Sequence, residues 1–326
     1  MRRLWEYAAV SDARPKLTVV VPFLNEEQNL PLLFDRLCKV MESQPESLEV
    51  LFVDDGSTDG SPAWVASKAK TDPRARLLRL SRNFGHQIAI TAGLDHADGD
   101  AAVIIDADLQ DPPEVIPELL AKWREGYEVV YAVRRSREGE TWLKKFLAAS
   151  FYRIFRALAK VDVPMDAGDF RLVDRKVIDA LKQVRELHRF MRGLTCWVGY
   201  KQGAVHYDRA ARTMGETKYP VWKSFRLAVD AITAFSASPL RWTAGLGGIA
   251  CLVGLLWFLD ILWARLVHPG GIERGWSSLM AVIIFMGGVQ LVSVGMLGQY
   301  VSRIFEESKR RPLYFIKGDT ASGRDS

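Results

Sequence analysis

Five short runs of aliphatic and β-branched residues recur through the first 140 residues, and a helical pattern follows each of the first four. Leu17 to Val21 reads as a buried strand. Leu30, Leu33, Phe34, Leu37 and Met41 then return at helical spacing, with Asn25 a candidate N-cap and Gln28 three residues on. The same alternation repeats with a strand over Leu48 to Val53 and a helix over Asp59 to Lys70. It continues with Leu77 to Leu80 before a helix over Phe84 to His96, and Ala101 to Ile105 before a helix opened by Pro112 and Pro113. Glu128 to Val133 closes the series as a further strand. This alternation predicts an α/β fold, a mostly parallel sheet with helices on both faces. Ligands of such sheets sit beyond the carboxyl ends of the strands. That is where the polar motifs of this chain fall.

The last third has a different character. Trp242 to Ala264 and Trp276 to Val301 are almost wholly apolar, each longer than the ~20 residues a bilayer crossing needs. Two buried core helices are the plainer alternative. The aromatic ends and the short connecting loop, Arg265 to Gly275, favour two transmembrane helices. Arg303, Lys309, Arg310, Arg311 and Lys317 follow the second run, against Arg265 and Arg274 in the loop, so both long ends are expected in the cytoplasm. Between the two parts, residues 221 to 240 carry Trp222, Phe225, Val229, Ile232 and Phe235 on one face, the pattern of an interfacial amphipathic helix or of an ordinary surface helix. The expected domains are therefore 1–220, an α/β domain on the cytoplasmic side, and 221–240, a juxtamembrane helix. Residues 241–301 would be two spans with an outward loop, and 302–326 a basic tail.

Composition narrows the classes. Lys and Arg number 44 against 39 Asp and Glu, and the basic excess is clustered, which gives no nucleic-acid groove. Three scattered cysteines, Cys38, Cys196 and Cys251, fit neither a disulfide scaffold nor a zinc site.

The stretch IIDADLQDPP, residues 104 to 113, ends a buried-looking strand on two carboxylates. Residues two apart in extended chain point the same way, so Asp106 and Asp108 leave on one side, with the small Ala107 opposite. Carboxylates are costly to desolvate without a positive partner. Hard oxygens so placed suit Mg²⁺ or Mn²⁺ completed by phosphate oxygens and water; a solvated acidic turn is the simpler alternative. VPFLNEE ends the first strand and VDDGSTDG the second, and SRNFGHQIAITAGL follows the third. Asp55 is placed to accept hydrogen bonds from a base or ribose, and Gly56 permits a tight turn. His86 and His188 show no partner in sequence and read as surface or packing residues.

Taken together, VPFLNEE, VDDGSTDG, SRNFGH, DADLQDPPE, GDFRL and GETKY resemble glycosyltransferase family 2, and more narrowly its polyprenyl-phosphate glycosyltransferases. The resemblance implies a GT-A nucleotide-binding domain. It places Pro22, Leu24, Glu26, Val53, Asp55, Asp106, Ala107 and Arg134 around a nucleotide sugar. It puts a divalent metal, Mg²⁺ or Mn²⁺, on Asp106, Asp108 and Gln110, and makes Arg212 and Lys218 a basic loop over the diphosphate. Leu24 stands where many relatives carry Tyr. Asp169, in GDFRL, occupies the position of a base in relatives with hydroxyl acceptors; here it either orients the acceptor or caps a turn. Lys144, Lys145, Arg189 and Arg192 are candidates for the acceptor phosphate.

The implied activity is inverting transfer of a hexose, glucose foremost, from a UDP-sugar to undecaprenyl phosphate. It would take place at the cytoplasmic face of a bacterial inner membrane, by a multi-pass protein that the resemblance implies is a homo-tetramer. Mannose, an amino sugar and a GDP-linked donor remain open, as does a catalytically silent scaffold. A Gln-x-x-Arg-Trp motif, the mark of processive synthases, is missing.

Overall fold

Lys16–Phe23 (β1) is buried along almost its whole length, as a strand covered on both faces must be. In the computed structural model, which describes residues 15–134, 167–207, 238–267 and 275–322, β1 is the central strand of an eight-stranded sheet. Ser47–Asp54 (β2) pairs parallel on one side of β1, and Ala101–Ile104 (β4) parallel on the other. Ala75–Leu80 (β3) continues beyond β2. The expected helices lie between these strands: Asn29–Met41 (α1), Ser61–Thr71 (α2), His86–His96 (α3) and Ile116–Arg124 (α4). Pro113–Val115 is a single 3-10 turn ahead of α4 rather than its first turn.

β1 is where the strand order reverses. The crevice outside the carboxyl ends of β1 and β4 is thus the topological switch point, the usual ligand position in open α/β sheets. Gly93 of α3 permits close packing here, because a Cβ would lie 2.2 Å from Val20 Cγ1.

The rest of the sheet departs from strict alternation. Ala167–Asp174 (β6) runs antiparallel to both β4 and Val129–Arg134 (β5), and Gln202–Tyr207 (β7) lies parallel to β5. Four of the seven strand pairings are parallel. Arg175–Gln183 (α5), capped by the Asp174 side chain, and Met191–Trp197 (α6) complete this half. The far edge is closed by Ile316–Asp319 (β8), antiparallel to β3. Arg76 clasps Asp319 with two hydrogen bonds, at 3.1 and 2.9 Å, a bidentate geometry that fixes register as well as charge.

The described residues form two compact units. The sheet with its helices and residues 312–322 form one; residues 238–267 and 275–311 belong to the other. Here one expectation is corrected. The two apolar runs are helical, Ser238–Val267 (α7) and Trp276–Ser308 (α8), yet among the described residues no helix is long and apolar enough to cross a membrane. A crossing needs about 20 consecutive apolar residues, and no helix of the described residues meets that requirement. Two transmembrane helices and a multi-pass topology are therefore withdrawn. Of the helix expected over 221–240, residues 221–237 lie outside the described residues and 238–240 begin α7.

Candidate active site

Three loops meet at the switch point, and side chains stitch them together. Asn25 is no helix cap: it adopts φ +58°, and its side-chain oxygen accepts from Thr58 N at 2.8 Å. The helix starts four residues later, with Gln28 at the N-cap. Ser57 Oγ accepts from Asn25 N and Ser61 Oγ from Glu26 N, which fastens the loop after β1 to the loop after β2. Asp55 does the same for the next loop, since its two oxygens accept from Phe84 N at 2.7 Å and Gly85 N at 3.0 Å. Gly56 makes that crossing possible. At φ +82° its Cβ would stand 2.7 Å from Asn83 N.

Pro22 and Val53 are register partners, both buried, and Leu24 is exposed at the rim. Glu26 accepts from Asn29 Nδ2 at 2.6 Å. Burial raises its carboxyl above the ordinary range despite that bond, and the charges of Asp108 and Asp59 add to the rise. Asp55 is likewise raised by burial, against its two backbone hydrogen bonds.

At the end of β4, Ala107 is buried, Asp106 and Asp108 are partly open, and Gln110 is buried. Asp108 Oδ1 accepts from Gln110 N at 3.1 Å across a turn in which Leu109 has φ +58°. Asp106 Oδ1 is buried and has no hydrogen-bond partner among the described residues. Burial pushes the Asp106 carboxyl up to about 6; His86 opposes the rise, and Asp169, Asp111 and Asp108 add to it.

Asp169 sits at the start of β6. That strand runs antiparallel to β4, so its beginning lies at the carboxyl end of β4; carrying the Ile104↔Arg171 register two residues further sets Asp169 opposite Asp106. Its environment is the reverse of its neighbour's. Arg192 Nε donates to it at 2.9 Å and Gln87 Nε2 at 3.2 Å, and His86 Nε2 lies 3.4 Å away. Burial alone would raise Asp169, but the His86 and Arg192 contacts and the charge of Arg171 hold it far below the usual carboxylate range.

The sequence-derived site residues therefore divide. Pro22, Leu24, Glu26, Val53, Asp55, Asp106, Ala107, Asp108 and Gln110 lie at the ends of β1, β2 and β4. Asp169 and Arg192 are brought to the same place. Arg134 lies alongside, its Nε donating to Tyr207 Oη at 3.3 Å and its Nη2 3.6 Å from Asp111. Arg189 is buried, with its guanidinium donating to the Val184 carbonyl. Lys144, Lys145, Arg212 and Lys218 fall outside the described residues.

His86 corrects the reading of a partnerless histidine. Its Nε2 stands 3.4 Å from both Asp106 Oδ1 and Asp169 Oδ2, with 45% of the side chain exposed. Burial lowers its pKa, but the Asp169 hydrogen bond and the two carboxylate charges outweigh this and raise it. The sequence signal was Gly85 directly before it: at φ +100° this glycine starts α3 at His86 rather than at Phe84.

Among the described residues no group of three or more His, Cys, Asp or Glu is arranged to hold a metal ion. The carboxylates still fit a divalent cation that brings most of its own ligands, as Mg²⁺ does when it arrives with phosphate and water. Three carboxyls at one edge are raised by burial, and one buried oxygen lacks a partner.

The parallel core carries its carboxylate cluster at the switch point, where open α/β sheets place their ligands. The chain belongs to glycosyltransferase family 2: residues 18–182 match Glycosyl transferase family 2, and the fold is GT-A. It is 48% identical to an uncharacterized glycosyltransferase, YkcC, of Bacillus subtilis, over 92% of this chain and 93% of that protein. It is 40% identical to the bactoprenol glucosyl transferase of Shigella phage SfV, over 93% of this chain and 99% of the relative. Among solved structures it is similar to mannosyl-3-phosphoglycerate synthase from Rubrobacter xylanophilus, at 19% identity and a TM-score of 0.48, covering 70% of this chain and 74% of that one. The protein is thus a glycosyltransferase.

Proposed function

We propose that this enzyme transfers glucose from UDP-glucose to a polyprenyl phosphate, with inversion at the anomeric carbon. The resemblance to bactoprenol glucosyl transferases along nearly the whole chain supports the substrates. The observation that carries the chemistry is the buried, unpartnered Asp106 oxygen at the switch point, beside Asp108. A buried carboxylate oxygen without a hydrogen-bond partner suits a donor that arrives with a cation.

Pro22, Leu24, Glu26, Val53 and Asp55 would frame the nucleoside, Asp55 chiefly by fixing the loop that carries Phe84 and Gly85. Asp106 and Asp108, with Gln110, would hold Mg²⁺ or Mn²⁺ on the diphosphate. When bound, the metal neutralises charge on the departing diphosphate. Arg134, Arg212 and Lys218 are proposed for the same negative charge. The acceptor is a phosphate with a second pKa near ~6. It is largely ionised at neutral pH and attacks the anomeric carbon without prior proton removal. Asp169, held ionised by Arg192 and His86, is a poor proton acceptor. Its part is to orient Arg192 toward the acceptor phosphate, with Lys144, Lys145 and Arg189 further proposals for that group.

The acceptor implies a membrane surface. α7 and α8 expose Leu252, Val253, Leu255, Leu256, Leu291 and Val292, an apolar face of the kind that associates with lipid or protein. The test of the reading is transfer of radiolabel to undecaprenyl phosphate from a panel of UDP- and GDP-sugars. Transfer from UDP-glucose alone is expected; transfer from a mannose or amino-sugar donor instead would revise the sugar, and none from any donor would overturn the function.

A further inference from the structure

We propose that His86 is a positioning residue that holds the Asp106 carboxylate in place at the donor diphosphate; this rests on the donor reading above. Asp106, just past the end of β4, and Asp169, at the start of β6, both reach the His86 ring, and like charges so close repel. The His86 Nε2 lies between them, 3.4 Å from an oxygen of each.

The two carboxylates depend on it unequally. Asp169 keeps Arg192 and Gln87 when His86 is removed. Asp106 Oδ1 is buried with no hydrogen-bond partner among the described residues, and the His86 ring lies within ion-pair distance of it. Removing the imidazole therefore releases Asp106 and leaves Asp169 where it is.

The ring is also built to stay. Asp55 pins the backbone of Phe84 and Gly85 directly before it. Gly85 takes a φ of +100° that turns the chain into α3. Gly56 lets the loop pass at a distance no side chain would allow. A second motif is thus used to fix the residue that orients the first. Neighbours that orient a metal-binding carboxylate act on affinity through that orientation.

The test measures Mn²⁺ binding in the presence of UDP, by calorimetry or electron paramagnetic resonance, on the purified full chain. His86→Ala should weaken Mn²⁺ binding about tenfold. His86→Gln, whose amide nitrogen reaches the Nε2 position, should restore most of it, and the acceptor KM should not move in either variant. If alanine impairs folding, His86→Asn, too short to reach Asp106, replaces it. Mn²⁺ affinity equal to the parent's in a folded alanine or asparagine variant overturns the proposal. So does a glutamine variant as weak as alanine, or a loss confined to the acceptor KM. Failure of the unmutated protein to bind Mn²⁺ with UDP would instead remove the donor reading, and this inference with it.

Discussion

The two edges of the active site, a few residues apart in register, are opposite in electrostatic character. At the ends of β1, β2 and β4, the carboxyls of Glu26, Asp55 and Asp106 are all raised by burial. At the start of β6, Asp169 is buried and surrounded by Arg192, His86 and Arg171, and its carboxyl is driven down. Burial acts on both in the same direction; the supply of counter-charge decides the sign. A carboxylate complete within the protein is structure. Asp106 has a buried oxygen without a hydrogen-bond partner among the described residues, which is why we propose it for the cation. The donor edge therefore carries a cost to stability, and the acceptor edge contributes to it.

The largest expected effect separates catalysis at the two edges from folding. Asp108→Asn should lower transfer by roughly a hundredfold or more, with the melting temperature close to the parent's. A fall in melting temperature that matched the lost activity would make Asp108 a structural residue. Next, Asp169→Asn leaves Arg192 without its buried partner and should cost about 3 kcal/mol at pH 7, read by denaturant unfolding of the parent and the variant. Asp106→Asn should do the reverse. It abolishes transfer yet raises the melting temperature of the ligand-free protein at pH 7, because the charge that burial disfavours is gone. Stabilisation by both variants, or by neither, would erase the contrast between the edges.

Their pH dependence follows with opposite signs. Asp106 titrates at about 6 in the fold and at about 3.9 unfolded. The folded protein binds the extra proton in that window, so its share of stability falls as pH rises through it. Asp169, depressed in the fold, contributes stability above its unfolded value that is lost as pH falls through the folded one. Cation binding in the presence of UDP should weaken about tenfold between pH 7 and pH 5 as Asp106 takes up its proton. A flat profile in calorimetry would remove Asp106 from the cation site. The last effect is local. Gly85→Ala meets no atom within 4 Å but must adopt a glycine conformation, at about 2 kcal/mol, seen in thermal unfolding.

Much of the donor edge was legible in the sequence because it is local. Strand, turn and helix follow one another, and each motif ends the strand before it; VPFLNEE and DADLQ needed only the alternation to place them. The acceptor edge was less so. His86 lies 20 residues from Asp106 and 83 from Asp169, and a reversed strand, β6, brings the three together. No periodicity announces an antiparallel insertion. Ile316–Asp319 was hidden for a related reason: four residues in a basic tail become a strand through the partner that Arg76 offers to Asp319. Apolar length in the last third predicted helices correctly, but the step from helix to membrane span did not survive.

The most direct test of the account is transfer of radiolabelled glucose from UDP-glucose to undecaprenyl phosphate by purified protein, with Asp108→Asn and a chelator as controls. The account predicts lipid-linked label from the unmutated protein, lost in the variant and lost with the chelator. Label that persists in Asp108→Asn, or that ignores the chelator, would contradict a carboxylate-held cation at the switch point as the centre of the chemistry.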